Sequence, residues 1–183
     1  MIRPWRTRAR RVLLERRPWF TVGEETVELP DGKVVDDFGF IDMVEFAVIV
    51  PITASGETVL IRSYKHGTRG VSLSLPAGGF HAGEAPLAGA KRELREETGL
   101  EADEWIPLGR HVVDPNYGCG AMHAFLARGA RKVREPESGD LEEQELIALP
   151  FADALAKLRA GEVDQLSTAA ALGLAAIALG EGH

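Results

Sequence analysis

The sequence predicts an α/β fold: a mixed sheet sandwiched by helices and preceded by a small N-terminal β-hairpin region. Three observations carry this. Residues 43–52 (MVEFAVIVPI) form a nearly continuous apolar run, as expected of a central strand covered on both faces. Residues 86–98 are strongly helix-forming and stop at Gly99. Around them, β-prone stretches alternate with two further helical ones, the pattern of helices laid on a sheet.

Taken in order, Leu29-Pro30-Asp31-Gly32-Lys33 is a turn signal between the β-prone stretches 25–29 and 33–38, which reads as a hairpin ahead of the main domain. The central strand at 43–52 follows. Ser55-Gly56-Glu57 turns the chain into a strand at 58–64 (TVLIRSY), and 71–75 (VSLSL) alternates as the next. Pro76-Ala77-Gly78-Gly79 is a loop with unusual backbone freedom. In the helix at 86–98, Leu87, Ala90, Leu94 and Thr98 recur at spacings of three and four and predict its buried stripe. Further strands are expected at 105–113, 121–127 and 145–149, and two helices at 151–160 and 167–179. The organisation that follows is an N-terminal arm and hairpin at 1–40, a candidate for dimerisation, and a domain at 41–183. Glu181-Gly182-His183 reads as a vector remnant.

Composition narrows the classes. With 45% hydrophobic and 27% charged residues in 183, the chain has the balance of a water-soluble globular protein. No apolar run reaches the roughly 20 residues that span a bilayer, and the basic N-terminus lacks the apolar stretch of a secretory signal, so a cytoplasmic location is expected. One cysteine, Cys119, excludes an intramolecular disulfide and a multi-thiolate zinc site, and the five histidines show no ligand spacing. The net charge of −7 is uneven: residues 1–17 hold seven arginines against Glu15, a local balance of +6, which leaves −13 for the remainder. An arginine-rich arm can suit nucleic acid, but such a stretch is more often a solvated strand or arm, or packs on an acidic partner subunit. The acidic remainder repels polyanions unless metal ions intervene, which makes nucleic acid an unlikely partner.

The chemistry concentrates in 78–100. On a helix turning about 100° per residue, Glu93 and Glu97 lie one turn apart on one face with Glu96 beside them. Like charges so placed destabilise a helix unless neutralised, and hard carboxylate oxygens suit Mg²⁺ or Mn²⁺. A solvated acidic face softened by Lys91, Arg92 and Arg95 is the plainer alternative. Glu84 falls at the helix start, where the dipole alone favours a carboxylate. Arg92, beside three carboxylates, reads as their orienting partner.

The stretch GGFHAGEAPLAGAKRELREETGL fits the pattern G-x5-E-x7-R-E-U-x-E-E-x-G-U (U, bulky aliphatic) at Gly78, Glu84, Arg92, Glu93, Leu94, Glu96, Glu97, Gly99 and Leu100. Through it the chain resembles the Nudix hydrolases. The resemblance implies an α/β/α sandwich and hydrolysis of a diphosphate linkage with Mg (or Mn). It implies Glu93, Glu97 and the Ala77 carbonyl as metal ligands, Glu96 as a further ligand or a base, and Arg92 as the residue that positions them. Within the family the chain is most similar to the ADP-ribose and nucleoside-diphosphate-sugar pyrophosphatases, whose N-terminal extensions form homodimers. Lys65 stands where those have a phosphate-binding arginine, and Pro115, 15 residues after Leu100, stands near a proline typical of the ADP-ribose type. Trp19 resembles an aromatic that stacks on the base, its alternative being hairpin packing. Glu142, with Glu143 and Glu145 beside it, is the candidate for a catalytic glutamate before the last strand. Ser63, Ser74 and Pro115-Asn116 depart from the usual glutamine, glutamate and proline-glycine, so the resemblance names a bond type more firmly than a substrate. The implied reaction splits ADP-ribose, or a related nucleotide sugar, into a nucleoside monophosphate and a sugar phosphate. A ligand sensor of the same fold that binds without cutting is the alternative.

Overall fold

The described residues, 1–139, 141 and 143–181 of a computed structural model, form in chain order β1 (Arg6–Arg16), β2 (Phe20–Glu28), β3 (Val34–Met43), β4 (Phe46–Thr53), β5 (Glu57–Lys65), β6 (Gly70–Ser74), β7 (Ala77–Gly79), α1 (Pro86–Thr98), β8 (Leu100–Glu101), β9 (Glu104–Asp114), β10 (Gly118–Lys132), β11 (Gln144–Pro150), α2 (Phe151–Arg159) and α3 (Leu166–Leu179). They divide into two units, residues 1–45 with 112–121, and residues 46–111 with 122 onwards.

In the smaller unit β1, β2 and β3 make an antiparallel meander, with Arg16 opposite Phe20 and Glu28 opposite Val34. The anticipated turn closes it: Asp31 accepts the Lys33 amide at 3.0 Å, and Gly32 takes φ 89°. The arginine-rich segment is mostly a strand of this sheet, and its cations meet acids of the same unit. Arg8 pairs with Glu28 at 2.8 Å, Arg11 with Glu24 at 2.5 Å, and Arg10 with Asp42. Arg10 also lies 3.7 Å over the Phe40 ring. Phe40 crosses the sheet where Gly23 leaves room, since a Cβ there would come within 2.5 Å of the ring.

In the larger unit β10 runs parallel to β4, with Met122 opposite Phe46, and β7 pairs antiparallel with β4, with Ala77 opposite Val48. A second sheet has the order β11-β5-β6. The apolar run of β4 is continuous because each face of the strand meets its own core. Ala47 and Ile49 pack with Ala90 and Leu94 of α1, Leu100 and Phe125. Val48, Val50 and Ile52 pack with Leu60, Leu75, Met122 and the apolar sides of α2 and α3. This is the expected sandwich of helices and mixed sheet, and α1 has the predicted bounds.

Its buried stripe differs in one member: Gly89, Ala90, Leu94 and Thr98 are buried, whereas Leu87 is 39% exposed. Leu87 is only the second residue of the helix, and on the face about 200° away from it the Phe80 ring occupies the space above Gly89, where a Cβ would stand 2.5 Å from it. Among the described residues, no helix is long and apolar enough to cross a membrane.

Candidate active site

The site is built on α1 and the loop before it. Ala85 enters the helix in extended conformation, Pro86 occupies the first turn, where its missing N–H costs nothing, and Gly99 ends it at φ 71° by donating its amide to the Arg95 carbonyl at 3.0 Å. Gly99 is required twice over, since a Cβ there would lie 2.1 Å from the Arg134 carbonyl oxygen. Helix geometry then sets Glu93, Glu96 and Glu97 on adjoining positions, and the loop returns to meet them.

Arg92 ties the cluster together. Its Nε donates to Glu84 Oε1 at 3.0 Å and its Nη2 to Glu84 Oε2 at 2.9 Å, a two-point grip on one carboxylate. Nη1 donates to Glu93 Oε1 at 2.5 Å and to Glu96 Oε2 at 3.0 Å, and Nη2 also donates to the Gly79 carbonyl at 2.9 Å. A guanidinium has five N–H groups, and these contacts engage all of them. The pairing is largely out of water: the Arg92, Glu84 and Glu93 side chains are 17%, 15% and 13% exposed, against 34% for Glu96. The hydrogen bonds from Arg92, followed by that from the His81 amide at 2.9 Å, hold the Glu84 carboxyl down at about 2. Arg92 is pushed above its ordinary value, chiefly by Glu84.

Two contacts connect helix and loop from the other side. Glu97 Oε2 accepts the Ala77 amide at 2.8 Å. The Glu93 carboxylate lies against Gly78 so closely that a Cβ there would stand 2.1 Å from its Cδ and 2.3 Å from each oxygen. Four carboxylates against one guanidinium leave the cluster strongly negative, and its donors are all hard oxygens. That chemistry fits a divalent cation such as Mg²⁺. As the side chains stand, no three His, Cys, Asp or Glu among the described residues converge on one point, and the positive charge at the centre is that of Arg92.

The structure therefore brings together Arg92, Glu93, Glu96, Glu97 and Ala77, the last through its amide. The remaining candidates belong to other elements. Lys65 ends β5 in the larger unit, where its carbonyl accepts the Thr68 hydroxyl at 3.0 Å. Trp19 (69% exposed) and Pro115 belong to the smaller unit, one in the β1–β2 turn and the other in a turn where Asp114 accepts the Asn116 and Tyr117 amides. Glu142 lies outside the described residues. Of its neighbours, Glu145 is engaged by Arg62 across β11 and β5, with Nε donating at 2.9 Å. Ser63 is buried, and its hydroxyl has no hydrogen-bond partner among the described residues.

Sequence reasoning missed the Gly79 carbonyl, the His81 amide and Phe80, which packs edge-on to His123 at 5.2 Å. Backbone acceptors and donors carry no side-chain signal. The glycine pair 78–79 and the small Gly89 were the only residues that could have announced a close approach.

Comparison with known proteins shows the family and the fold. The NUDIX domain matches residues 43–169, and the nucleoside diphosphate sugar hydrolase N-terminal domain matches residues 5–41. An ADP-ribose pyrophosphatase of Mycobacterium tuberculosis is 32% identical over 88% of this chain and 79% of its own length. One from Bacillus subtilis is 28% identical over 81% of this chain and 80% of its own. A crystal structure of an ADP compounds hydrolase has the same fold, with a TM-score of 0.82 at 23% identity, covering 99% of this chain and 98% of that one.

Proposed function

This chain belongs to the Nudix hydrolase family, and from that premise we propose that it hydrolyses the diphosphate linkage of a nucleoside diphosphate derivative, with ADP-ribose as the preferred candidate. The observation that carries the reading is the fully engaged Arg92: a largely buried guanidinium spends four donors on Glu84, Glu93 and Glu96 and the fifth on the Gly79 carbonyl, leaving none for a ligand. A surface acidic face needs no such support. A set of carboxylates held in register for chemistry does.

Glu93, Glu96 and Glu97, with the Ala77 carbonyl, would hold the metal. A bound Mg²⁺ or Mn²⁺ supplies charge neutralisation for the diphosphate and lowers the pKa of water. The chain's own part is orientation and proton transfer. Water attacks one phosphorus, the bridging P–O bond breaks, and a glutamate carboxylate takes the water's proton; Glu96, Glu97 and Glu142 are the candidates. Glu96 is the most exposed member of the Arg92 knot, which favours it as the group that meets water. Trp19, Lys65 and the Pro115 turn are assigned to substrate binding, Trp19 by stacking and Lys65 by charge. For ADP-ribose the products are AMP and ribose 5-phosphate. The names of the two ADP-ribose pyrophosphatase relatives support that substrate. The same reading takes residues 1–40 as a dimerisation extension of a catalytic domain at 41–183, in a cytoplasmic homodimer.

The test is incubation with Mg²⁺ and a panel of nucleoside diphosphate sugars, including ADP-ribose, with products separated by chromatography. Turnover is expected to need the metal and to fall at least about 10²-fold in Glu97→Gln, as for loss of a group that acts on the reacting atoms. No turnover of any member, or full activity in Glu97→Gln, defeats the assignment.

A further inference from the structure

The catalytic helix has a second working face. Ala88, Lys91 and Arg95 recur at spacings of three and four on α1, all at positions the nine-residue pattern leaves open, and with Arg92, Glu101, Ala102 and Trp105 they line a cavity of about 430 Å³. Trp105 is its aromatic wall: half-buried, edge-on to Phe125 at 6.2 Å, its indole N–H donating to the Ala102 carbonyl at 3.3 Å. The Lys91 ammonium stands 5.9 Å from the Trp105 ring centroid, the outer limit of a cation–π contact, and makes no ion pair among the described residues. Among the described residues the Arg95 side chain reaches only Glu101, at 3.7 Å, with both side chains about half exposed. On a chain of net charge −7, two weakly held cations one helical turn apart beside an indole form a local positive site. Like charges at that spacing repel, and an anion between them relieves the repulsion.

We propose that this cavity binds a nucleoside monophosphate, the base stacked on Trp105 and the phosphate between Lys91 and Arg95. Its volume is within the range of small-ligand sites. Ring and phosphate are both needed: stacking on an indole contributes without regard to base identity, and the cations act on the anion. Lys91, at the limit of its hold on the ring, swings to the phosphate on a flexible stem. The site does not depend on the proposed hydrolysis, because none of Lys91, Arg95 and Trp105 takes part in it.

The test uses the full chain carrying Trp5→Phe and Trp19→Phe, which leaves Trp105 as the sole tryptophan. AMP is titrated in EDTA, so that no metal chemistry intervenes, while Trp105 emission is followed. Saturable quenching is expected, with affinity at least tenfold weaker for adenosine and for inorganic phosphate, and at least tenfold weaker for AMP in Lys91→Ala/Arg95→Ala. Ala88→Leu, a helix-compatible change that fills the cavity, is expected to weaken AMP likewise, with an unchanged circular dichroism spectrum. Absence of saturable quenching overturns the proposal. So does unchanged AMP affinity in both the double variant and Ala88→Leu, which would place the nucleotide elsewhere.

Discussion

Replacing Gly78 by alanine separates a glycine needed for folding from one needed for chemistry. Gly78 does not adopt a positive φ, so alanine meets no backbone penalty there. The new Cβ would instead stand 2.3 Å from both Glu93 oxygens, where ordinary contact begins at 3.4 Å. The carboxylate must therefore retreat by about 1 Å, a displacement that costs catalysis roughly 10²-fold when the group orients the reaction. Stability suffers less, because what yields is the far end of a flexible side chain. The main loss is one charge-assisted hydrogen bond, Arg92 to Glu93 at 2.5 Å. Offset by the lower entropy of an unfolded alanine, that amounts to about 1 kcal/mol, or roughly 2–4 °C in Tm for a domain of this size. The assay pairs kcat/KM for ADP-ribose in Mg²⁺ with thermal unfolding in EDTA. Near-normal kcat/KM would refute a catalytic need for the Glu93 position, and a loss of more than about 10 °C would make Gly78 a folding residue instead.

Two further outcomes follow from the same cluster. Arg92→Lys keeps the charge but offers three donors on a point cation, so it cannot grip Glu84 at two points while holding Glu93, Glu96 and Gly79. A loss of about 2 kcal/mol in urea unfolding is expected, together with a fall in kcat of roughly 10²-fold, and an unchanged kcat would remove its orienting role. Glu84, with a folded pKa of about 2 against 4.5 unfolded, binds protons less readily when folded. Its contribution is therefore fully present above about pH 4.5 and is lost as pH falls toward 2. In EDTA, Glu84→Gln is expected to be less stable than the parent at pH 7 and to show a flatter stability profile between pH 4.5 and 2, and parallel profiles would contradict this.

Helix α1 was legible to the residue because its determinants are local. Pro86 suits a first turn, Gly99 a left-handed stop, and Ala90, Leu94 and Thr98 repeat with the helix period. The central strand was legible because a run apolar at nearly every position satisfies two cores at once. Leu87 misled because periodicity carries the stripe into the first turn, where Leu87 is 39% exposed. The arginines of residues 1–17 were readable as a solvated strand, but not their partners: Glu24, Glu28 and Asp42 approach only through strand pairing.

The α/β class, the bounds of α1 and the family were all readable along the chain, because these depend on spacing along one helix and on the alternation of apolar residues. How the residues of that pattern are held depends on the fold. Arg92 reaches Glu84 and Gly79 across the loop, Glu97 takes an amide 20 residues away, and Gly78 stays small because Glu93 leans on it. Such contacts join residues that no local pattern connects. They exist because the packing of α1 on β4 and β7 brings loop and helix within hydrogen-bonding distance.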